Sequence, residues 1–350
     1  MLFTLRYLHI SKSVRHVAEN LQLLLILLPS GHEAVLSNPY ILEILLHPLT
    51  TQLAIGYVTL LDMDGQHLYF CLNHNEICSA IGLMNTLTNE SGCATFAARI
   101  EMLPVAQRSG FVKAWISRAD LIARKRAEND EISITAIPAF FTFVQITTRL
   151  CAANATLGML FVKYDYFREC ALNFGKLAAL AHAAKLPIPG TAAKETDFVV
   201  ATVEALQKHL NETCRPVEAL VQALSGGFIR TTVTYIAGSH MRLPGSNEII
   251  HNGAFTLSKL LQQIIPMLTS KKVLEALASG AYPWPNTEEG RAAREAQLPI
   301  VQQFSSRFDY LYRWAVRRML AESQQKQDLE VRQCNNMKVR AHFDSPVCVL

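Results

Sequence analysis

The chain has 350 residues, of which 50% are hydrophobic and 18% are charged, so it is long and apolar enough for one or two folded domains. That composition excludes a disordered chain. Lysine and arginine number 33 against 29 acidic residues, and because the formal net charge is only +4, any affinity for nucleic acid must come from local basic clusters.

The first apolar run, "LQLLLILLPSG", begins at residue 21. It is shorter than the roughly 20 residues that a membrane span needs, which favours a buried helix. The run follows Arg15, His16 and Glu19 rather than a short basic leader, which disfavours a secretory signal. Next, "YVTLLDMDGQHLYFCL" places two β-rich runs around an Asp-Gly pair, and this pattern predicts a β-hairpin near residues 57–72.

From Ile77 onward, apolar residues recur mostly at helical spacing. The predicted helices are 77–88, 93–102, 108–128, 137–154, 155–185, 196–210, 215–225, 255–266, 270–279, 289–296 and 299–330. Two prolines and a glycine in "KLPIPGTAAKE" predict a break near residue 188. The predicted fold is therefore mainly α, a two-lobed helical protein with a small β-hairpin in its N-terminal lobe. The lobes are 1–188 and 189–330, and residues 331–350 form a tail or exchange arm.

No catalytic motif is readable. The chain lacks G-x-S-x-G, G-x-G-x-x-G, a Walker A lysine motif and H-E-x-x-H. The eight cysteines never form C-x-x-C, which favours buried free thiols in a reducing compartment. The group Cys71, His74, Glu76 and Cys78 lacks the P-C-x-x-C that a zinc deaminase needs, so a half-buried segment is the favoured interpretation. We expect no enzyme activity, cofactor or metal site; an enzyme of unrecognised type stays an alternative.

The segment "FVKAWISRADLIARKRAEND", residues 111–130, combines basic residues with an apolar stripe. At about 100° per residue, the stripe consists of Phe111, Trp115, Ala119 and Ile122. Lys113 and Arg124 fall opposite it, whereas Arg118 and Lys125 lie at its edge. We expect the edge pair to face a ligand groove, because a residue at the border of a packed face can line a cleft. The alternative is a solvated amphipathic face.

Basic residues recur beside aromatic ones in "FVKYDYFRECALNFGK", which suits a groove where cations meet phosphates and rings stack on bases. Tyr164 and Tyr166 could equally belong to the core. Lys271 and Lys272 stand at a helix start, where exposed amides would help to hold a phosphate. The candidate RNA-binding residues are Arg118, Arg124, Lys125, Arg126, Arg149, Lys163, Arg168, Lys176, Arg230, Arg242, Lys271, Lys272, Arg317 and Arg318.

Across residues 40–320, the order of elements resembles that of the nucleoproteins of non-segmented negative-strand RNA viruses. "LLILLPSGHEAVL" is similar to the early apolar helix of the bornavirus type, and "LASGAYPWPN" looks like a stretch of paramyxovirus nucleoproteins near the C-terminal lobe. The chain differs from these nucleoproteins in two features. Their aromatic-rich central motif has no recognisable counterpart here, and the long acidic tail of paramyxoviruses is absent.

The resemblance implies that single-stranded RNA lies in a cleft between two lobes, bound by its backbone without sequence specificity. It also implies self-association into a helical nucleocapsid, with residues 1–20 and 325–350 exchanging between protomers. A viral polymerase cofactor is an implied further partner. The implied location is the virion and the host cytoplasm, with the nucleus as an alternative. The alternative function is a helical scaffold or capsid-type interaction protein that binds no nucleic acid.

Overall fold

The computed structural model describes residues 47–61, 65, 67, 78–90, 92–128, 133–183 and 191–232, and scattered positions from 260 to 325. The chain divides into two compact units, Met1–Trp284 and Pro285–Leu350. The described helices of the first unit are α1 (Pro48–Thr59), α2 (Ser79–Leu87), α3 (Cys93–Glu101), α4 (Val105–Glu128), α5 (Ser133–Ala153), α6 (Ala155–Lys163), α7 (Tyr166–Ala183), α8 (Thr191–Glu212) and α9 (Pro216–Ser225). The mainly α fold is thus confirmed for the described residues.

Local sequence signals account for several helix ends. The side chain of Asn154 caps α6 by accepting a 3.0 Å hydrogen bond from the backbone N–H of Leu157. Pro216 occupies the first position of α9, where its missing N–H costs no hydrogen bond. Helix α9 then ends at Ser225, in agreement with the predicted helix 215–225.

The predicted single helix 155–185 is wrong, because α6 ends at Lys163 and α7 begins at Tyr166. Between them, Asp165 adopts a φ of 60°, in the left-handed region. Aspartate enters this region more readily than most residues. The two-residue break turns the chain without the glycine or proline that would reveal it in the sequence.

Helix α5 lies at the centre of the described helices and packs against α2, α3, α4, α6, α7 and α8. Its segment Ala136–Ala153 is long and apolar enough to cross a membrane by length and composition. Packing against six neighbouring helices also explains why α5 is so apolar, since a core helix is hydrophobic on most of its surface. Helix α5 therefore organises the bundle.

Aromatic side chains join α4, α5 and α7 in the core. The rings of Trp115 and Phe143 stack with centroids 5.1 Å apart, and those of Phe140 and Phe174 stack at 6.1 Å. The indole N–H of Trp115 donates a 2.8 Å hydrogen bond to the hydroxyl of Thr147. The one polar atom of this buried ring is thereby satisfied, as burial requires.

The β-hairpin predicted near 57–72 is not confirmed. Tyr57, Val58 and Thr59 belong to the last turn of α1, and Tyr57 and Val58 are buried. Tertiary packing has overridden the β-propensity of these residues. Among the described residues of this stretch, an antiparallel bridge between Leu61 and His67 is the only strand-like pairing.

The two-lobed arrangement predicted around residue 188 is not confirmed either. Helix α7 precedes that boundary and α8 follows it, yet α8 packs against α5, within the unit that extends to Trp284. In the second unit, the described positions lie inside the predicted helix 299–330 and are helical and exposed; they are Arg313, Arg317, Ala321, Gln324 and Gln325. The predicted exchange arm 1–20 lies outside the described residues, as do residues 326–350 of the predicted arm 325–350.

The described cysteines are free thiols. Cys78, Cys93 and Cys170 are buried, as predicted, whereas Cys151 is half-buried and Cys214 is exposed. Burial raises the pKa of the Cys93 thiol above its ordinary value, although the nearby Arg149 partly offsets this effect. A buried thiol of this kind stays protonated and unreactive at neutral pH.

Candidate functional site

Helix α4 presents one buried and one solvent-facing side. The predicted apolar stripe is confirmed, since its residues are fully buried; they are Phe111, Trp115, Ala119 and Ile122. Lys113 and Arg124 are exposed, as expected for positions opposite that stripe. The outer side of α4 thus offers cations to solvent while the inner side anchors the helix in the core.

Tyr164, in the break between α6 and α7, is surrounded by two lysines. The ammonium nitrogen of Lys113 lies 4.8 Å from the centroid of the Tyr164 ring, and that of Lys163 lies 5.7 Å from it. Both distances suit cation–π attraction. A hydrogen bond with Ser109 is the main cause that lowers the pKa of Tyr164, and the two lysines lower it further. The half-buried ring of Tyr164 therefore contacts one cation from α4 and one from α6.

Asp120 forms a second meeting point between α4 and α7. Its carboxylate contacts the Nζ of Lys176 at 2.9 Å and the Nε of Arg124 at 2.8 Å. Partial burial raises the pKa of Asp120, but the hydrogen bonds and charges of Lys176 and Arg124 outweigh that effect and lower it overall. The carboxylate holds the two cations side by side and neutralises part of their charge.

The exposed side of α7 continues this surface. Arg168, Leu172 and Lys176 are exposed at intervals of four residues, which places them on one stripe of the helix. We call the exposed cations of the three helices, together with the tyrosine between them, the basic ridge. It consists of Lys113, Arg124, Lys163, Tyr164, Arg168 and Lys176. Its cations outnumber the neighbouring carboxylates Asp120, Asp165 and Glu169.

The prediction that Arg118 faces a ligand groove is wrong. Only 1% of this residue is exposed, and its Nη2 donates a 3.0 Å hydrogen bond to the carbonyl oxygen of Val58. Its Nη1 lies 4.0 Å from the Sγ of Cys78. The guanidinium is committed to the interior, so it cannot contact RNA. The other member of the predicted edge pair, Lys125, lies in α4, but its side chain is outside the described residues, as is that of Arg126.

Arg149 has a structural role in the described contacts. Its Nη1 donates to the side-chain oxygen of Asn85 at 3.2 Å and to the carbonyl oxygen of Thr88 at 3.1 Å. Thr88 follows the end of α2, where backbone carbonyls lack helical partners. Arg149 thus joins α5 to the end of α2, outside the basic ridge.

The remaining candidates are not brought to the ridge by any described contact. Arg230 and Lys272 are exposed in the first unit, and Arg317 is exposed in the second. Arg242, Lys271 and Arg318 lie outside the described residues. Of the predicted RNA-binding set, the ridge therefore contains Arg124, Lys163, Arg168 and Lys176.

The ridge also includes a cation that the predicted set omits. Lys113 was expected to meet solvent rather than ligand, but its contact with Tyr164 places it at the centre of the cluster. The outer positions of α4, which are Ser109, Lys113, Asp120 and Arg124, follow helical spacing and are visible in the sequence. Their meeting with Tyr164 and Lys176, about fifty residues further along the chain, has no such signal.

Within the described part of the chain, no group of three or more His, Cys, Asp or Glu side chains is placed to hold a metal ion. The side chains of the ridge offer charge attraction and ring stacking. Comparison of the chain with protein-family models, with curated proteins and with solved structures finds no match.

Proposed function

We propose that the protein binds the backbone of single-stranded RNA along the basic ridge and assembles with it as a nucleoprotein. One observation carries the proposal: α4, α6 and α7 present exposed cations on a surface centred on Tyr164, where two ammonium groups lie within 6 Å of one ring. A fixed cluster of this kind supplies the local basic charge that the small net charge of the chain does not.

The composition of the ridge favours phosphates over base edges. Lysine ammonium groups are point charges on flexible stems, suited to phosphate oxygens in many positions. The two cations that lie over the Tyr164 ring, Lys113 and Lys163, are both lysines. Half-buried Tyr164 adds a ring face, and an unpaired base can stack on such a face whatever its identity. The proposal is therefore binding without sequence preference.

The experiment removes both ammonium groups around Tyr164 in the full-length protein, as the double variant K113Q/K163Q. Fluorescence anisotropy with a labelled, unstructured RNA is measured at several salt concentrations. We expect the affinity to fall by roughly tenfold and the slope of log affinity against log salt to fall by about 1.4, since each lost phosphate contact on a single strand removes about 0.7.

The matched control is K208Q. Lys208 is exposed on α8 and pairs with Glu212 at 3.8 Å, away from the described contacts of the ridge. This variant should keep the wild-type affinity and slope. Unchanged binding by K113Q/K163Q would contradict the ridge as the RNA site. A nucleic-acid-free, monodisperse monomer purified at low salt without nuclease would contradict the nucleoprotein proposal as a whole.

A second candidate function, a helical scaffold that associates without RNA, is favoured by exposed apolar residues. Met102 and Val105, in the connection from α3 into α4, are 84% and 67% exposed. Large apolar side chains left in solvent favour contacts between chains. In this alternative, copies of the chain associate through the α3–α4 connection and the ridge is a solvated surface.

Sedimentation velocity after ribonuclease treatment separates the two functions. The scaffold predicts oligomers that persist without RNA and dissociate in M102S/V105S. The nucleoprotein proposal predicts that assembly depends on RNA and that K113Q/K163Q weakens it. In the nucleoprotein proposal, a cleft between lobes, exchange of terminal arms and a polymerase cofactor remain predictions of the resemblance.

A further inference from the structure

His209 occupies an unusual position for an ionisable side chain. It lies near the C-terminal end of α8 and is only 1% exposed. Its ring packs against two aromatic rings at the start of α7, with centroids 4.7 Å from Phe167 and 5.2 Å from Tyr166. Among the described residues, neither ring nitrogen has a hydrogen-bond partner. A neutral imidazole tolerates this environment, whereas a charged imidazolium would lack both water and a counter-ion.

The groups around His209 provide no compensating charge in the described structure. On α7, the ionisable residues of this face are Tyr166, whose pKa burial raises well above its usual value, and Cys170, whose pKa burial also raises. Both are neutral at ordinary pH. On α5, the half-buried thiol of Cys151 is likewise neutral, because burial raises its pKa as well.

The charged residues of the neighbouring elements point elsewhere. On α8 itself, Lys208 and Glu212 pair with each other in solvent, and Glu204 is exposed. On α9, which packs against α8, Arg215 and Glu218 form an exposed pair at 3.0 Å. Arg149 of α5 is bound to Asn85 and Thr88. No described carboxylate contacts the imidazole.

We infer that the packing of His209 on Tyr166 and Phe167 is an acid-sensitive contact between α8 and α7. Protonation of the imidazole releases the C-terminal part of α8 from the bundle. The interface is closed when the imidazole of His209 is neutral and packs against the two aromatic rings of α7. A charged imidazolium needs water around it, and only the opened interface admits water to the ring. Protonation therefore stabilises the opened form. This device acts through the core and is independent of RNA binding along the ridge.

The sign of the pH dependence follows from burial. Burial lowers the pKa of His209 from 6.5 to about 3. Above pH 6.5 the opened and closed forms bind the same number of protons on this ring, so His209 adds no pH dependence to the interface. Between pH 6.5 and 3 only the opened form takes up the proton. Acidification therefore favours opening by about tenfold per pH unit through this window.

Hydrogen–deuterium exchange of the full-length protein tests the inference. Exchange of residues 201–212 is followed from pH 7 to 4.5 and corrected for the chemical exchange rate. In the wild type, we expect the opening constant of this segment to rise by about tenfold per pH unit below pH 6. In H209F and H209Q, which cannot take up the proton, the rise should vanish. The control H47Q, at an exposed histidine of the first unit, should behave as the wild type.

An equal rise in H209F and H209Q, or no rise in the wild type, would overturn the inference. Should neither variant fold, the nuclear magnetic resonance titration of the His209 ring in the wild type decides the matter. A ring that titrates in the closed protein with a midpoint near 6.5 contradicts the inference, and a ring that stays neutral down to pH 4.5 supports it. Loss of RNA binding in K113Q/K163Q bears on neither outcome.

Discussion

The guanidinium of Arg118 donates a 3.0 Å hydrogen bond to the carbonyl oxygen of Val58, in the last turn of α1. The final carbonyls of a helix have no partner within it and carry the negative end of its dipole. A buried arginine from α4 therefore satisfies a backbone group that would otherwise lie unpaired in the interior. The charge of Arg118 is used for folding and is withheld from any surface ligand.

The variant R118M should be destabilised. Methionine retains much of the apolar stem but cannot donate to Val58, and loss of a buried hydrogen bond from a charged group costs about 2–3 kcal/mol. Urea denaturation measures the free energy of unfolding. R124M is the control, because Arg124 makes an exposed ion pair on the same helix, and its loss should cost less than about 0.5 kcal/mol. Equal effects in the two variants would contradict the assignment.

The burial of Arg118 shows where sequence patterns stop being informative. Helical spacing correctly predicted the buried stripe of α4, because that pattern depends only on residues within one helix. A cation at the edge of the stripe can turn toward solvent or toward the core. Arg118 turns toward the core because it donates a hydrogen bond to the carbonyl of Val58, sixty residues earlier. A pattern within α4 cannot predict this contact.

Gly226, just after α9, is predicted to tolerate no side chain. A Cβ added there would lie 2.6 Å from the carbonyl oxygen of Arg168 and 2.7 Å from the Cβ of Ala171, both on α7. G226A should therefore force α9 away from α7 and cost about 1–3 kcal/mol of unfolding free energy. Thermal denaturation measures the change.

Gly110 of α4 is the matched control for Gly226. A Cβ added at Gly110 meets nothing within 4 Å. Since alanine has a smaller backbone entropy cost in a helix than glycine, G110A should stabilise the protein by about 0.5–1 kcal/mol. The two substitutions are chemically the same and should have opposite signs. A shared sign would contradict the close approach of α7 and α9.

Thr147 is predicted to contribute to stability through its hydroxyl rather than its methyl group. This hydroxyl accepts the hydrogen bond of the buried Trp115 indole and donates to the carbonyl oxygen of Phe143 at 2.9 Å. T147V keeps the shape but leaves the indole N–H unpaired, at a cost of about 1–3 kcal/mol. T147S keeps the hydroxyl and should be closer to the wild type in urea denaturation.

The candidate site was less predictable than the fold. The helices around the site can be predicted from apolar spacing and from capping residues such as Asn154. Both signals depend only on residues that are close to one another in the sequence. The ridge depends on the break at Asp165, whose left-handed backbone replaces a predicted continuous helix. It also depends on contacts of α4 with Tyr164 and Lys176, which are set by how α7 packs on α4. Such contacts have no counterpart in one-dimensional spacing.

Asp120 gives the ridge a property that a simple basic patch would lack. Its pKa is held below the usual 3.8, so its stabilising ion pairs are present above pH 3.8 and are lost as the pH falls through the lower folded value. At neutral pH the carboxylate therefore keeps its charge and holds Lys176 and Arg124. Because the side chain is 38% exposed, removal of the ion pairs should cost no more than about 0.5 kcal/mol of stability.

In the RNA-binding proposal, D120N should increase the affinity for single-stranded RNA. The substitution removes a negative charge from the ridge, together with the ion pairs that Asp120 forms with Lys176 and Arg124, so we expect the affinity to rise by roughly fivefold and the salt dependence to steepen. Fluorescence anisotropy at low and moderate salt measures both changes. E218Q is the control, because it frees Arg215 from a similar exposed ion pair on α9, outside the ridge, and should leave the affinity unchanged. If D120N and E218Q bind RNA equally well, the ridge does not contact the phosphates.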